Sequence, residues 1–236
     1  MNIEILYRPS YSLGVLTLAG GEEVRVEGGA MVSMSAGTTL ETKAAGGILK
    51  SLARSVLAGE SFFQNTYKAP SGGGEVTVAP ALPGDLFTLE LQNEKLMVQS
   101  GSYVASETPV ELDTKWGGAK TFFASEGLIM LRASGNGKLL LSAYGAIHEK
   151  NLGDGEKLIV DTGHLVAFSQ DMSFKVNKVG NIKSTIFSGE GLVVELIGPG
   201  RVLMQTRSTD SFLKWLLPKL PKQSGSSSGS GFNIKL

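Results

Sequence analysis

The stretch EKLMVQSGSYVAS, residues 94–106, decides the fold, because it occurs in two further versions: EEVRVEGGAMVSM at 22–34 and EKLIVDTGHLVAF at 156–168. Aligned, Val24, Leu96 and Leu158 correspond, as do Val26, Val98 and Val160. Gly29, Gly101 and Gly163 follow in register, then Val32, Val104 and Val166, always at offsets of 72 and 62 residues. Three blocks in the same order with near-constant spacing mark an internal repeat. Within each block, apolar alternation and short apolar runs predict strands, and the shared glycine predicts a turn or bulge.

The match continues downstream. Lys43, Lys115 and Lys178 fall at equivalent places; Lys50, Lys120 and Lys183 are each followed by a hydroxyl residue; Glu60, Glu126 and Glu190 close a small-residue motif; and Gly74, Gly137 and Gly200 mark a corner in each unit. The segments GLIMLRASGNGKLLLSAYG and GLVVELIGPGRVLMQT read as pairs of strands joined by a glycine corner, hence as hairpins. GNGK (135–138) and GPGR (198–201) superficially resemble phosphate loops, but strands flank both, whereas a phosphate loop leads from a strand into a helix. Pro199 also removes a backbone donor that a phosphate cradle needs.

The expected fold is all-β: one pseudo-three-fold domain over residues 1–210, sandwich-like or barrel-like, with units at about 20–91, 92–152 and 153–208. A short helix is expected in the first unit, where Ile48, Leu49, Leu52, Val56 and Leu57 stand at near-helical spacing. Beyond the repeats, TDSFLKWLLPKLPKQ predicts a short amphipathic helix over 211–222, capped by an Asp or Ser and ended by Pro218. A flexible Gly/Ser tail is expected over 223–236.

Composition narrows the function classes. Hydrophobic residues make up 42% and charged residues 19% of the 236, a globular balance. Lys plus Arg and Asp plus Glu both number 22, so the basic field that attracts nucleic acid is missing, and no nucleic-acid partner is expected. The chain has no cysteine, which excludes disulfides, thiol nucleophiles and cysteine-based metal sites. Glu4 and Arg8 interrupt the N-terminal apolar stretch, which therefore does not read as a signal peptide, and no run is long enough to cross a membrane as a helix. A cytoplasmic protein without integral membrane insertion is expected.

GESFFQNTYKAPSGGGEVTVAPALPGDL (59–86) and STIFSGEGLVVELIGPGRVLMQTRS (184–208) resemble the bacterial and archaeal branch of the mitochondrial-biogenesis family named for altered inheritance of mitochondria. The resemblance spans roughly residues 1–210 and implies a compact β fold similar to the tryptophan RNA-binding attenuation protein, repeated within one chain. Likeness of fold does not carry RNA binding with it. The family's mitochondrial members are implied to support inner-membrane organisation, and the family supplies no catalytic residue to carry over.

The polar sets of interest are Lys50, Lys120 and Lys183 with Glu60, Glu126 and Glu190. Gathered near a common axis they would bind a ligand or cation; spread over strand corners they form structural ion pairs. Recurrence in every unit favours the structural role. His148 and His164 stand at non-equivalent positions, without the further ligands zinc needs or the nucleophile a triad needs. Phe212, Leu213, Trp215 and Leu216 of the terminal helix form a candidate contact for a partner or a membrane surface, docking on the β domain being the simpler account. No catalytic, cofactor-binding or metal-binding residue is assigned, and no cofactor is expected. The function expected is that of a non-catalytic interaction or scaffold module with a protein partner or a homo-oligomeric state. The alternatives are a small-ligand binder or cryptic enzyme using the Lys/Glu sets, and a peripheral membrane organiser acting through the helix.

Overall fold

A computed structural model describes residues 1–44, 63–113, 129–178 and 192–221. The chain is mostly β. Its strands are β1 (Asn2–Leu6), β2 (Leu13–Leu18), β3 (Glu23–Glu27), β4 (Met31–Met34), β5 (Thr39–Ala44), β6 (Phe63–Lys68), β7 (Gly74–Val78), β8 (Gly84–Gln92) and β9 (Leu96–Gln99). There follow β10 (Tyr103–Glu107), β11 (Val110–Asp113), β12 (Met130–Tyr144), β13 (Ile147–Leu152), β14 (Lys157–Asp161), β15 (Leu165–Ser169), β16 (Ser173–Lys178), β17 (Leu192–Ile197) and β18 (Gly200–Gln205). One helix, α1 (Thr209–Leu216), closes the described part. The helix expected in the first unit and the Gly/Ser tail lie outside the described residues.

Certain strand pairings recur in the three aligned blocks. In each, the first strand pairs antiparallel with a downstream strand, giving Val26 opposite Asn65, Val98 opposite Leu131 and Val160 opposite Val194. The second strand of each block pairs with a later one and carries a bulge at the same place, between Met31 and Ser33, Tyr103 and Ala105, and Leu165 and Ala167. A bulge inserts one residue and bends the strand. Here it follows directly on the turn that carries the shared glycine.

The glycine corners are not hairpins. β12 runs unbroken through the GNG corner, pairing with β9 and β11 before it and with β8 and β10 after it. Likewise β17 pairs with β14 and β16, whereas β18 pairs with β13 and β15. The corner therefore carries the chain from one set of neighbours to another, as strands do where sheets meet at an angle. Positive φ at Gly135 (109°) and Gly137 (140°) supplies the bend that a hairpin turn would otherwise have used.

Three hydrophobic clusters form the core, and they interlock. Leu16, Val24, Val26 and Val76 pack with Val104 and Leu140 from the following stretch of chain. Leu91, Val98, Tyr103 and Leu131 pack with Val166 and Leu203. Met97 in turn joins Phe168, Val194 and Leu196. Each fully buried side chain of this size stabilises the fold by about 1.5–3 kcal/mol, so the sharing ties successive stretches of chain together.

The strand pairing between blocks repeats as well. β10 pairs with β3, setting Ala105 opposite Val26 and Ser106 opposite Arg25. β15 pairs with β9, setting Ala167 opposite Val98 and Phe168 opposite Met97. The barrel-like expectation is corrected: among the described residues no sheet closes on itself, the largest running from β13 to β5 and the others from β1 to β4 and from β14 to β16.

The terminal helix begins earlier than its sequence suggested. Ser208, not Asp210 or Ser211, is the cap, its Oγ accepting from the Ser211 amide. Satisfying a first-turn amide in this way is what a serine cap does. A single 3-10 turn (Leu217–Lys219) containing Pro218 extends the helix. One contact with the β body is an edge-to-face pair between Phe212 and Tyr144, centroids 6.3 Å apart.

Candidate functional site

The three blocks converge on one cleft of about 400 Å³. Glu27 comes from the first block, Gln99 and Gly101 from the second, and Thr162 and Gly163 from the third. Ser142, Tyr144 and Gln205 line it as well, with Pro80, Ala81 and Leu82 and with Asp210 of α1. Glu27 ends β3 as Gln99 ends β9 and Asp161 ends β14, so one repeat position supplies three different polar groups.

Those groups are not equally satisfied. Gln99 Oε1 accepts from Ser102 Oγ at 3.1 Å, and Asp161 Oδ1 accepts from the Gly163 amide at 2.8 Å. Glu27 has no side-chain hydrogen bond among the described residues. Burial without a compensating donor disfavours its charge and pushes its carboxyl up to about 7. Near neutrality it can therefore hold or release a proton.

Tyr103, two residues after Gly101, is wholly buried. Its hydroxyl accepts from Gln64 Nε2 at 3.0 Å, donates to the Arg25 carbonyl at 3.2 Å and meets Ser106 Oγ at 3.1 Å. Burial pushes the phenol up to about 12, so it is a structural hydrogen-bonding group and not an acid at physiological pH. Gln205 staples the lining: its Oε1 accepts from the Tyr144 amide and its Nε2 donates to the Gly163 carbonyl, both at 2.9 Å. His164 Nδ1 donates to the Gln205 carbonyl at 2.7 Å, which commits that nitrogen to the backbone.

The cleft thus offers two carboxyls, Glu27 and Asp210, among amides, hydroxyls and apolar side chains. Among the described residues, no group of three His, Asp or Glu side chains converges to hold a metal ion. Lys50, Lys120, Lys183, Glu60, Glu126 and Glu190 all lie outside the described residues. His148 sits on β13 opposite Met204, exposed. In α1, Phe212 touches Tyr144 and stacks near Trp215 at 6.1 Å, while Trp215 itself remains 59% exposed.

Sequence reasoning missed Glu27, Tyr103 and Gln205. A signal for Glu27 was present, since VRVE, LMVQ and LIVD end each aligned strand on a polar residue. The same blocks hold another repeated group with a local task. Glu22 and Glu156 each accept the amide three residues earlier, from Ala19 at 2.8 Å and Gly153 at 3.0 Å, closing the turn before their strands.

Fold and cleft together define a mostly β protein whose antiparallel sheets run on from one block to the next around a polar junction. No helix among the described residues is long and apolar enough to cross a membrane. The chain belongs to the family described as Mitochondrial biogenesis AIM24, whose model matches residues 3–207. An uncharacterized protein of Streptococcus pyogenes serotype M6 is 27% identical over 222 residues, covering 91% of this chain and 89% of that relative. The crystal structure of a protein from Streptococcus pyogenes is similar with a TM-score of 0.76 and 26% identity, covering 93% of this chain and 99% of that one. The family expected from the sequence is the family found.

Proposed function

We propose that this chain is a non-catalytic interaction module: a pseudo-three-fold succession of β units that presents strand edges to another polypeptide. The observation that supports it is the state of β4 and β14. Val32 and Met34 on β4 are 57% and 42% exposed and Ile159 on β14 is 64% exposed, although both strands end sheets with apolar side chains. Edges of this kind are templates for strand addition unless a partner covers them.

The test is a crosslinked pull-down from native cells with the full chain beside a Met34→Lys/Ile159→Lys double variant. Specific partners captured by the first and lost from the second are expected. Turnover of a small molecule by purified protein, abolished by Glu27→Gln with the fold intact, overturns the reading.

A second reading rests on the terminal helix and the turn that follows it, where Trp215, Leu217 and Leu220 are 59%, 44% and 50% exposed and Lys219 lies 5.3 Å from the Trp215 ring. An apolar and basic surface of this kind suits the interface of an anionic membrane. Co-sedimentation with phosphatidylserine vesicles, lost on Trp215→Ala, is the expected result. Sedimentation unchanged by that substitution removes the helix from the account.

A further inference from the structure

We propose that β4 of one molecule pairs with β14 of a second copy, head to tail, in a defined register. This rests on the interaction-module reading and names its partner. Within the chain, the second strand of one block twice pairs with the first strand of the block before it: β10 with β3, and β15 with β9. The second strand of the first block, β4, and the first strand of the third block, β14, are the two halves of this joint left over. They do not meet within one molecule among the described residues.

Exposure at equivalent positions shows what the joint covers. Val104 and Val166 are 0% exposed, while Val32 is 57% exposed. Ser106 and Phe168 are 0% exposed, while their counterpart Met34 is 42% exposed. On the other strand Met97 is 0% exposed and its counterpart Ile159 is 64% exposed. The uncovered residues are those that the joint seals elsewhere. β4 carries no charge and no proline, the usual guards of a free edge.

Transferring the two internal registers gives the third. Ala105 opposite Val26 and Ala167 opposite Val98 become Ser33 opposite Val160 of the second copy. Ser106 opposite Arg25 and Phe168 opposite Met97 become Met34 opposite Ile159. Two different edges meet, so the contact is heterologous and propagates into a closed ring or an open filament according to the rotation at each joint.

The test is light-scattering mass of the full chain and of two single variants, Met34→Lys and Ile159→Lys, across a dilution series. Both positions are exposed, so each variant is expected to fold, as checked by circular dichroism. The wild type is expected to exceed the 24.9 kDa of one chain, and each variant alone to fall to that mass. Mixed in equal amounts, the variants are expected to give a heterodimer, because the Met34→Lys chain keeps an intact β14 and the Ile159→Lys chain an intact β4. Variants that stay at 24.9 kDa when mixed overturn the head-to-tail joint, and a variant that alone keeps a dimer mass overturns it in favour of like-with-like contacts. A monomeric wild type overturns self-assembly altogether. If edge-dependent partners are still captured in the pull-down, the module reading stands without the second copy; if they are not, both fail.

Discussion

Arg8 grips Asp85 through two parallel hydrogen bonds, Nε to Oδ1 and Nη2 to Oδ2, each 2.8 Å long. Asp85 is 3% exposed and also accepts from Ser12 Oγ and the Leu86 amide, so the loop before β2 is anchored to the start of β8. Arg8→Ala leaves that carboxylate buried with its charge unmatched, which is more costly than the pair itself is stabilising. Urea denaturation is expected to show a loss of about 2–4 kcal/mol, and about half that for Arg8→Lys, which cannot form the fork. A loss below about 0.5 kcal/mol would place the pair among surface ion pairs.

Glu27 sets a pH dependence whose sign runs opposite to that of a salt-bridged carboxylate. Its folded value of about 7 stands above the ordinary 4.5, so between those values the native state holds a proton that the unfolded state has released. Stability from this group is therefore complete at low pH, declines as pH rises across that window and is level above it. Glu27→Gln keeps the shape and removes the titration. At pH 8 it is expected to stabilise the protein by on the order of 1–2 kcal/mol, allowing for screening of a half-buried group, and at pH 4.5 to change little. Denaturation curves that differ equally at both pH values would contradict the assignment.

Tyr103→Phe keeps the buried ring and deletes only the hydroxyl. Gln64 Nε2 and the Arg25 carbonyl then lose their shared partner in the interior. The expected cost is about 1–3 kcal/mol, the penalty for stranding buried polar groups, with no cavity contribution. Absorbance titration supplies an independent readout: Tyr103, pushed up to about 12, is expected to ionise late, and the substitution to remove that late step.

The blocks around Val26, Val98 and Val160 were legible because core burial imposes apolar residues at fixed places whatever else varies. The corners were misread because glycine serves a hairpin and a bend between sheets equally, and nothing local in GNGK names the strands that β12 will join. Arg8 and Asp85 stand 77 residues apart, one in the loop before β2 and the other in β8, so no periodicity links them. Met34 and Ile159 look like core residues in the pattern, as their counterparts Phe168 and Met97 are. Their exposure goes with the position of β4 and β14 at the ends of their sheets, which no window of sequence displays.

Gly135 and Gly29 separate two reasons for glycine. Both have positive φ, 109° and 94°, but a Cβ on Gly135 would stand 2.3 Å from the Pro109 carbonyl, whereas one on Gly29 meets nothing within 4 Å. Alanine at Gly29 therefore carries only the backbone cost of a left-handed residue, about 1–2 kcal/mol. Alanine at Gly135 adds a backbone clash that neither strand can relieve without giving up the β11 to β12 pairing, in which Gly135 faces Val110. The expected loss there is about 3 kcal/mol or more, with amide exchange rising at Val110 and Glu111 first. Equal losses at the two sites would mean that β12 crosses the corner by backbone conformation alone.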